Sequence, residues 1–210
     1  RAFRWDDRPS VWLTAFCARI LHKATFQEWE NFLYIDPNII NDAVSWILRH
    51  QTQEGAFIET AMYPYDRRMN LTSKISGDYS NLRNISLTAH VLITLAEIRD
   101  LTGDVGARAS TARTSAQRYL ERMLHVIKNY EDPYELSIVT YALTLVNSVE
   151  AEEAFNLLDQ KMREVSGMRY WGKEPIPPPK TQIENNRPFL LPRLPHKYDS
   201  SKYSCNKNRN

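Results

Sequence analysis

The stretch from Ser86 to Leu101 (SLTAHVLITLAEIRDL) restricts the fold more than any other part of the chain. It reads as a helix, and Leu87, Ala89, Val91, Leu92, Ile93, Leu95, Ala96, Ile98 and Leu101 cannot share one narrow stripe on it. A helix that is apolar all round must be surrounded by other elements. Ser86 is the expected N-cap, because its hydroxyl can accept from an otherwise unpaired N–H of the first turn.

Helices of the same kind are expected on each side, at Ser10–Leu21 and Leu136–Val146, and each of the three is followed by a more ordinary amphipathic one. Ser10 is the expected cap of the first, and His22 and Lys23 suit the negative pole at its end. Asp36-Pro37 opens the second helix: the Asp caps, and Pro fits a first turn whose N–H would be unpaired anyway. Ile40, Ala43, Val44, Ile47 and Leu48 then follow at helical spacing and leave the other face wet. After the central helix, Thr102-Gly103-Asp104 turns the chain, and Ala116, Tyr119, Leu120, Met123 and Ile127 line one face of the next helix. Asp132-Pro133 is a second Asp-Pro start. Ala151, Ala154, Phe155, Leu158, Met162 and Val165 predict a third amphipathic face. A helical hairpin repeated three times, with one member always buried, implies an inner layer covered by an outer one. The fold class is therefore all-α: an α/α toroid, partial at three hairpins, or an open solenoid. The connection Gln51–Arg83 interrupts this rhythm, and its length marks it as functional, disordered or inserted.

Composition bounds the rest. In 210 residues, 42% are hydrophobic, enough for a sizeable core, and only six Gly argues against a hairpin-rich all-β fold. Seven of the eleven prolines fall between Pro175 and Pro195. Residues 1–172 are thus expected to form the domain, and residues 173–210 a Pro-rich, basic, extended and disordered tail. The tail holds eight Lys or Arg against three Asp or Glu, which leaves the first 172 residues at −3 within the overall +2. A mildly acidic body is no nucleic-acid footprint. No run approaches the ~18 apolar residues of a membrane span, so no direct membrane insertion is expected. The sequence begins at Arg1 and is taken as a piece of a longer protein, so the lack of a signal peptide says nothing of compartment.

Few residues invite chemistry. Cys17, on an apolar helix, is expected to be a buried thiol; Cys205 lies in the tail, and the disulfide state of neither follows from the sequence. His90 is expected to be a core residue with one satisfied nitrogen, and His22, His50 and His125 sit near helix ends. The adjacent acids Asp6-Asp7 and Glu152-Glu153 raise a glycosidase reading, since that chemistry uses two carboxyls, but neighbours in sequence are expected simply to be solvated. No metal-ligand spacing is present, and no metal or cofactor is expected. Trp5, Trp12, Trp29, Trp46 and Trp171 read as packing residues. Asn70-Leu71-Thr72 and Asn84-Ile85-Ser86 are N-glycosylation acceptors, and at Asn84 the glycan competes with a capping role for the central helix.

Taken together, SVWLTAF (10–16), the long helix-poor insert, SLTAHVLITL (86–95), YEDPYELSIVTYAL (130–143) and MRYWG (168–172) resemble the thioester domain of the α2-macroglobulin and complement family, with arthropod thioester-containing proteins nearest. The resemblance covers about Phe3 to Gly172 and implies an α/α toroid. It also implies acyl-transfer chemistry: a Cys–Gln thioester in Gly-Cys-Gly-Glu-Gln is held as an activated acyl group until a target hydroxyl or amine attacks. In many members a His in the insert attacks first and forms an acyl-imidazole. That His follows a segment like GAFIET (55–60), which places the position at Tyr65 or Asp66, neither an imidazole; Met69 falls near the family's usual Met. The thioester motif itself is absent from these residues, and after MRYWG the family continues with another inner helix where this chain turns Pro-rich.

Loss of the His fits the insect branch called macroglobulin-complement-related proteins, which lack a functional thioester and are associated with microbe recognition and septate junctions. The resemblance therefore implies a secreted, extracellular, non-enzymatic domain in innate immune recognition or endopeptidase inhibition. Its implied partners are microbial surfaces or proteases, together with other domains of the same chain. The alternatives are a septate-junction or adhesion scaffold and a toroid-fold enzyme such as a glycosidase.

Overall fold

The computed structural model describes residues 8–25, 34–61, 84–98, 100–165 and 167–172. Tyr65, Asp66, Met69, Asn70, Cys205, Trp5, Trp29, Asp6-Asp7 and the whole of the expected tail lie outside the described residues. Among the described residues six helices follow in order: α1 (Val11–Thr25), α2 (Pro37–Leu48), α3 (Ile85–Glu97), α4 (Gly103–Ile127), α5 (Tyr134–Leu145) and α6 (Ala151–Asp159). A small antiparallel hairpin, β1 (Arg163–Val165) with β2 (Met168–Tyr170), comes last. The fold is all-α, as expected.

Two layers organise the helices. α3 packs against α1 on one side and α5 on the other, which makes α1–α3–α5 the inner row. α2 covers α1, α4 covers α3 and touches α2 and α5, and α6 covers α5. α3 is the enclosed member: eleven consecutive residues, Ile85 to Leu95, are buried. Leu87, Val91, Leu92, Ile93 and Leu95 lie in the core, and each such side chain contributes about 1.5–3 kcal/mol. α4 buries Ala109, Ala112 and Ala116 along its first half and Tyr119, Leu120, Leu124 and Ile127 along its second. The small residues let other backbone come close; the larger ones fill the core.

The ends of the helices follow the capping logic in part. Asp36 accepts from the Asn38 N–H at 2.9 Å, with Pro37 in the first turn. Asp132 repeats the device by accepting from the Tyr134 N–H at 3.0 Å. Ser10 accepts from the Leu13 N–H at 3.1 Å. The expectation for Ser86 fails. α3 starts one residue earlier, with Asn84 at the cap position, and the Ser86 hydroxyl is buried without a hydrogen-bond partner among the described residues. α3 also stops at Glu97, because Ile98 turns to an extended conformation at ψ 104°.

Two further expectations are corrected. Among the described residues α1 and α5 are less enclosed than α3, and each packs against one inner helix. Phe16 and Ile20 on α1 and Tyr141 on α5 are consequently exposed, and so is the thiol of Cys17, which was expected to be buried. The third amphipathic face also ends early. Ala154 is buried, but Phe155 is exposed, and Val165 lies in β1 rather than on a helix. Gly167, at φ +77°, makes the turn between the two strands.

Candidate functional site

The first third of the long insert is described, and it is ordered by contacts with distant parts of the chain. Residues 51–57 fold into a tight loop after α2. Thr52 N–H donates to Ala56 O at 2.8 Å, Gly55 N–H to Thr52 O at 3.1 Å, and Ala56 N–H to the Thr52 hydroxyl at 3.1 Å. The Gln51 amide reaches α4 and donates to Ala112 O at 2.9 Å. Phe57 is fully buried, and its N–H donates to the Thr88 hydroxyl of α3 at 2.9 Å.

Two residues later Glu59 turns back onto α1. One carboxylate oxygen accepts from the Val11 N–H at 2.7 Å; the other accepts from the Trp12 N–H at 3.0 Å and the Ser10 hydroxyl at 2.9 Å. The Thr60 and Ala61 N–H groups also donate to it, at 2.9 and 3.2 Å. The Thr60 hydroxyl closes the group by donating to Pro9 O at 2.5 Å. A carboxylate is well suited to this position, because a helix N-terminus presents unpaired donors and a positive partial charge. With Ser10 serving Leu13 and Thr14, every donor of the first turn of α1 is satisfied. Residue spacing near Glu59 carries no sign of this role, since its partners lie about fifty residues away in sequence.

Asn84 is half-buried at the head of α3 and makes no capping bond with its side chain, so the capping role expected to compete with a glycan there is not taken up. His90 is buried, as expected. Its Nε2 lies 3.3 Å from Trp12 O, and its ring stacks on the Trp12 indole at a centroid distance of 5.6 Å. His50, just beyond α2, places Nδ1 2.9 Å from Trp46 O, and His125 lies exposed in the last turn of α4. Glu152 and Glu153 lie exposed in the first turn of α6. With Val149, Glu150 and Asn156 they line a shallow surface hollow.

His22 lies at a cavity. The space, ≈ 560 Å³, lies between the end of α1, the start of α2 and the corner joining α3 to α4, with Ile35, Pro37, Ile40, Ile98 and Leu101 as apolar walls. His22 Nε2 lies 3.7 Å from an Asp100 carboxylate oxygen. Burial lowers the imidazole pKa from its ordinary value, against the opposing pull of Asp100 and Glu97. Glu97 is held by Lys23 at 2.8 Å and Arg19 at 3.9 Å. Among the described residues no group of His, Cys, Asp and Glu could hold a metal ion, and no helix is long and apolar enough to cross a membrane.

Two inner helices flanking a third that is buried from Ile85 to Leu95, with the insert sewn to the head of α1 and to Thr88 of α3, define a class of helical-hairpin domain. Sequence comparison gives the family. The A-macroglobulin TED domain family matches residues 1–200, and the chain belongs to it. Ovostatin of Gallus gallus is 28% identical over 167 residues, covering 79% of this chain and 10% of that protein. Thioester-containing protein 1 allele S1 of Anopheles gambiae is 30% identical over 173 residues, 80% of this chain and 11% of that one. Complement C3 of Eptatretus burgeri is 26% identical over 171 residues, 80% and 10%. The chain thus spans about a tenth of the length of these relatives.

Proposed function

We propose that the chain is the TED domain of a secreted, α2-macroglobulin- and complement-like thioester-containing protein, acting in innate immune recognition or endopeptidase inhibition without His-assisted acyl transfer. Its partners on this reading are microbial surfaces or target proteases and the other domains of the same chain. It is not an enzyme in its own right. Relatives named complement C3 and thioester-containing protein 1 support the setting.

The observation that carries the chemical part is the pair Tyr65 and Asp66, which stand where the family resemblance puts the acyl-accepting His. A phenol with an ordinary pKa near 10 is almost wholly protonated at neutral pH, and a carboxylate acyl acceptor yields an anhydride rather than an acyl-imidazole. Neither relays an acyl group to a hydroxyl as an imidazole does. Transfer to amines, which attack a thioester directly, is the chemistry left.

The test uses the full-length protein activated by proteolysis. Methylamine is expected to be incorporated and glycerol not, and Tyr65→His or Asp66→His is expected to confer glycerol incorporation. Wild-type protein that takes up glycerol as readily as methylamine sinks the proposal. If neither is taken up, covalent transfer is ruled out and only non-covalent recognition or an adhesion role stands. Secretion has its own check: Asn84, free of a capping bond, is expected to carry a glycan that Asn84→Gln removes, read by intact mass from a secreting host.

A further inference from the structure

The way the insert is attached to the domain changes at Phe57. Up to that residue burial adds to the hydrogen bonds with α3 and α4: Ala56 and Phe57 are 5% and 0% exposed and belong to the core. Beyond it, Ile58 is 46% exposed, and no side chain from 58 to 61 joins the core. What holds residues 58–61 is polar. Ile58 N–H donates to His50 O at 3.0 Å, the Thr60 hydroxyl donates to Pro9 O, and Glu59 takes five donors. Three of those donors belong to the head of α1 and two to the segment itself, so one carboxylate joins the two pieces.

α1 does not depend on Glu59 as the segment does. Ser10 keeps the Leu13 N–H through its hydroxyl and the Thr14 N–H through its carbonyl, and Val11, Ala15 and Ala18 keep the helix in the core. With the carboxylate gone, the head of α1 loses three bonds but keeps these, and it is expected to stay folded. Residues 58–61 lose most of what they have.

We infer that Glu59 is a positioning residue: a clasp, with Phe57 as its hinge, that fixes where the chain leaves Ala61 and hence where the remainder of the insert starts. Its meaning for acyl transfer rests on the proposed function, because that remainder bears Tyr65 and Asp66. The clasp itself does not.

Amide hydrogen exchange on the 210-residue chain and on Glu59→Gln tests it. Gln keeps the shape and one acceptor oxygen but turns an NH2 group toward backbone donors, so the variant stays close to the native packing. Protection of Val11, Trp12, Thr60 and Ala61 is expected to fall by about tenfold or more. Protection of Phe57 and of Leu92 in α3 is expected to stay within about twofold. Thr60→Val, which removes only the bond to Pro9, is expected to loosen Thr60 and Ala61 and leave Val11 and Trp12 protected.

Unchanged protection at Thr60 and Ala61 in Glu59→Gln overturns the clasp. So does an equal loss across Leu92 and Ala61, which makes Glu59 an ordinary contributor to global stability. No acyl chemistry enters the readout. A failed clasp therefore leaves the proposed function standing, and failed methylamine uptake leaves the clasp standing.

Discussion

Gly55→Ala is the substitution whose cost can be worked out most directly. Gly55 sits at φ +100°, a conformation that L side chains rarely adopt. A Cβ there would come 2.2 Å from Ser115 O and 2.7 Å from Ser115 C, both backbone atoms of α4. No rotamer relieves contact with backbone, so the loop must back away from α4. In doing so it strains the Gln51 bond to Ala112 O and the Arg122 bond to Glu54 O, at 2.9 and 2.8 Å.

The conformational part costs about 1–2 kcal/mol and the overpacking about 1–3 kcal/mol, so a loss of about 3 kcal/mol is expected. In a domain of this size that lowers Tm by roughly 6–12 °C. Gly103→Ala is the matched control. Gly103 also has positive φ, +62°, but nothing lies within 4 Å of a Cβ there. It should cost about 1 kcal/mol and roughly 2–4 °C. Thermal unfolding of the two variants side by side separates strain from collision. Equal midpoints would refute the close approach of the insert to α4.

Two other outcomes follow from buried polar contacts. Thr88→Val leaves the buried Phe57 N–H without its acceptor and should cost about 1–3 kcal/mol in urea unfolding, whereas Thr88→Ser, which keeps the hydroxyl, should cost visibly less; equal losses would point to lost packing instead. His22 has a folded pKa lowered from 6.5, first by burial, so its neutral form contributes stability that is fully present above pH 6.5 and is lost as pH falls through the lowered value. Tm should therefore drop on acidification in a way that His22→Gln flattens, and a parallel pH profile in the variant would remove His22 as the cause.

The helical hairpins were legible because their signals are local. An all-round apolar pattern marks α3, Asp36-Pro37 and Asp132-Pro133 mark two starts, and helical spacing marks α2 and α4. Position within the inner row was not legible. Nothing in Val11–Thr25 tells which of its flanks packs against α3, so the exposure of Phe16 and Cys17 was not legible. The β1–β2 hairpin was not legible because Met162 and Val165 continue the helical spacing of Phe155 and Leu158. Glu59 was invisible for a different reason. A carboxylate in a polar stretch looks solvated until the fold brings the head of α1 to it. Family resemblance carried the functional reading, since the Gly-Cys-Gly-Glu-Gln motif that the resemblance implies is not among these residues.

The polar side chains of α3 have a consequence for how this fold finds one arrangement. A wholly greasy rod between two others has a shallow preference among sliding positions, because one apolar contact replaces another at little cost. On α3 three buried polar side chains meet partners outside the helix. Thr88 takes the Phe57 N–H, His90 meets Trp12 O, and the Thr94 hydroxyl lies 3.4 Å from Ala15 O. Two face α1 and one faces the insert, so they work as the teeth of a key. Moved one residue along, Ala89, Val91 and Leu95 would stand in their places, the Phe57 N–H would be orphaned, and the imidazole would need a new partner in a dry interior. A few polar atoms thus give the most hydrophobic of the described helices a single seat, at the expense of some of the stability an all-apolar helix could offer.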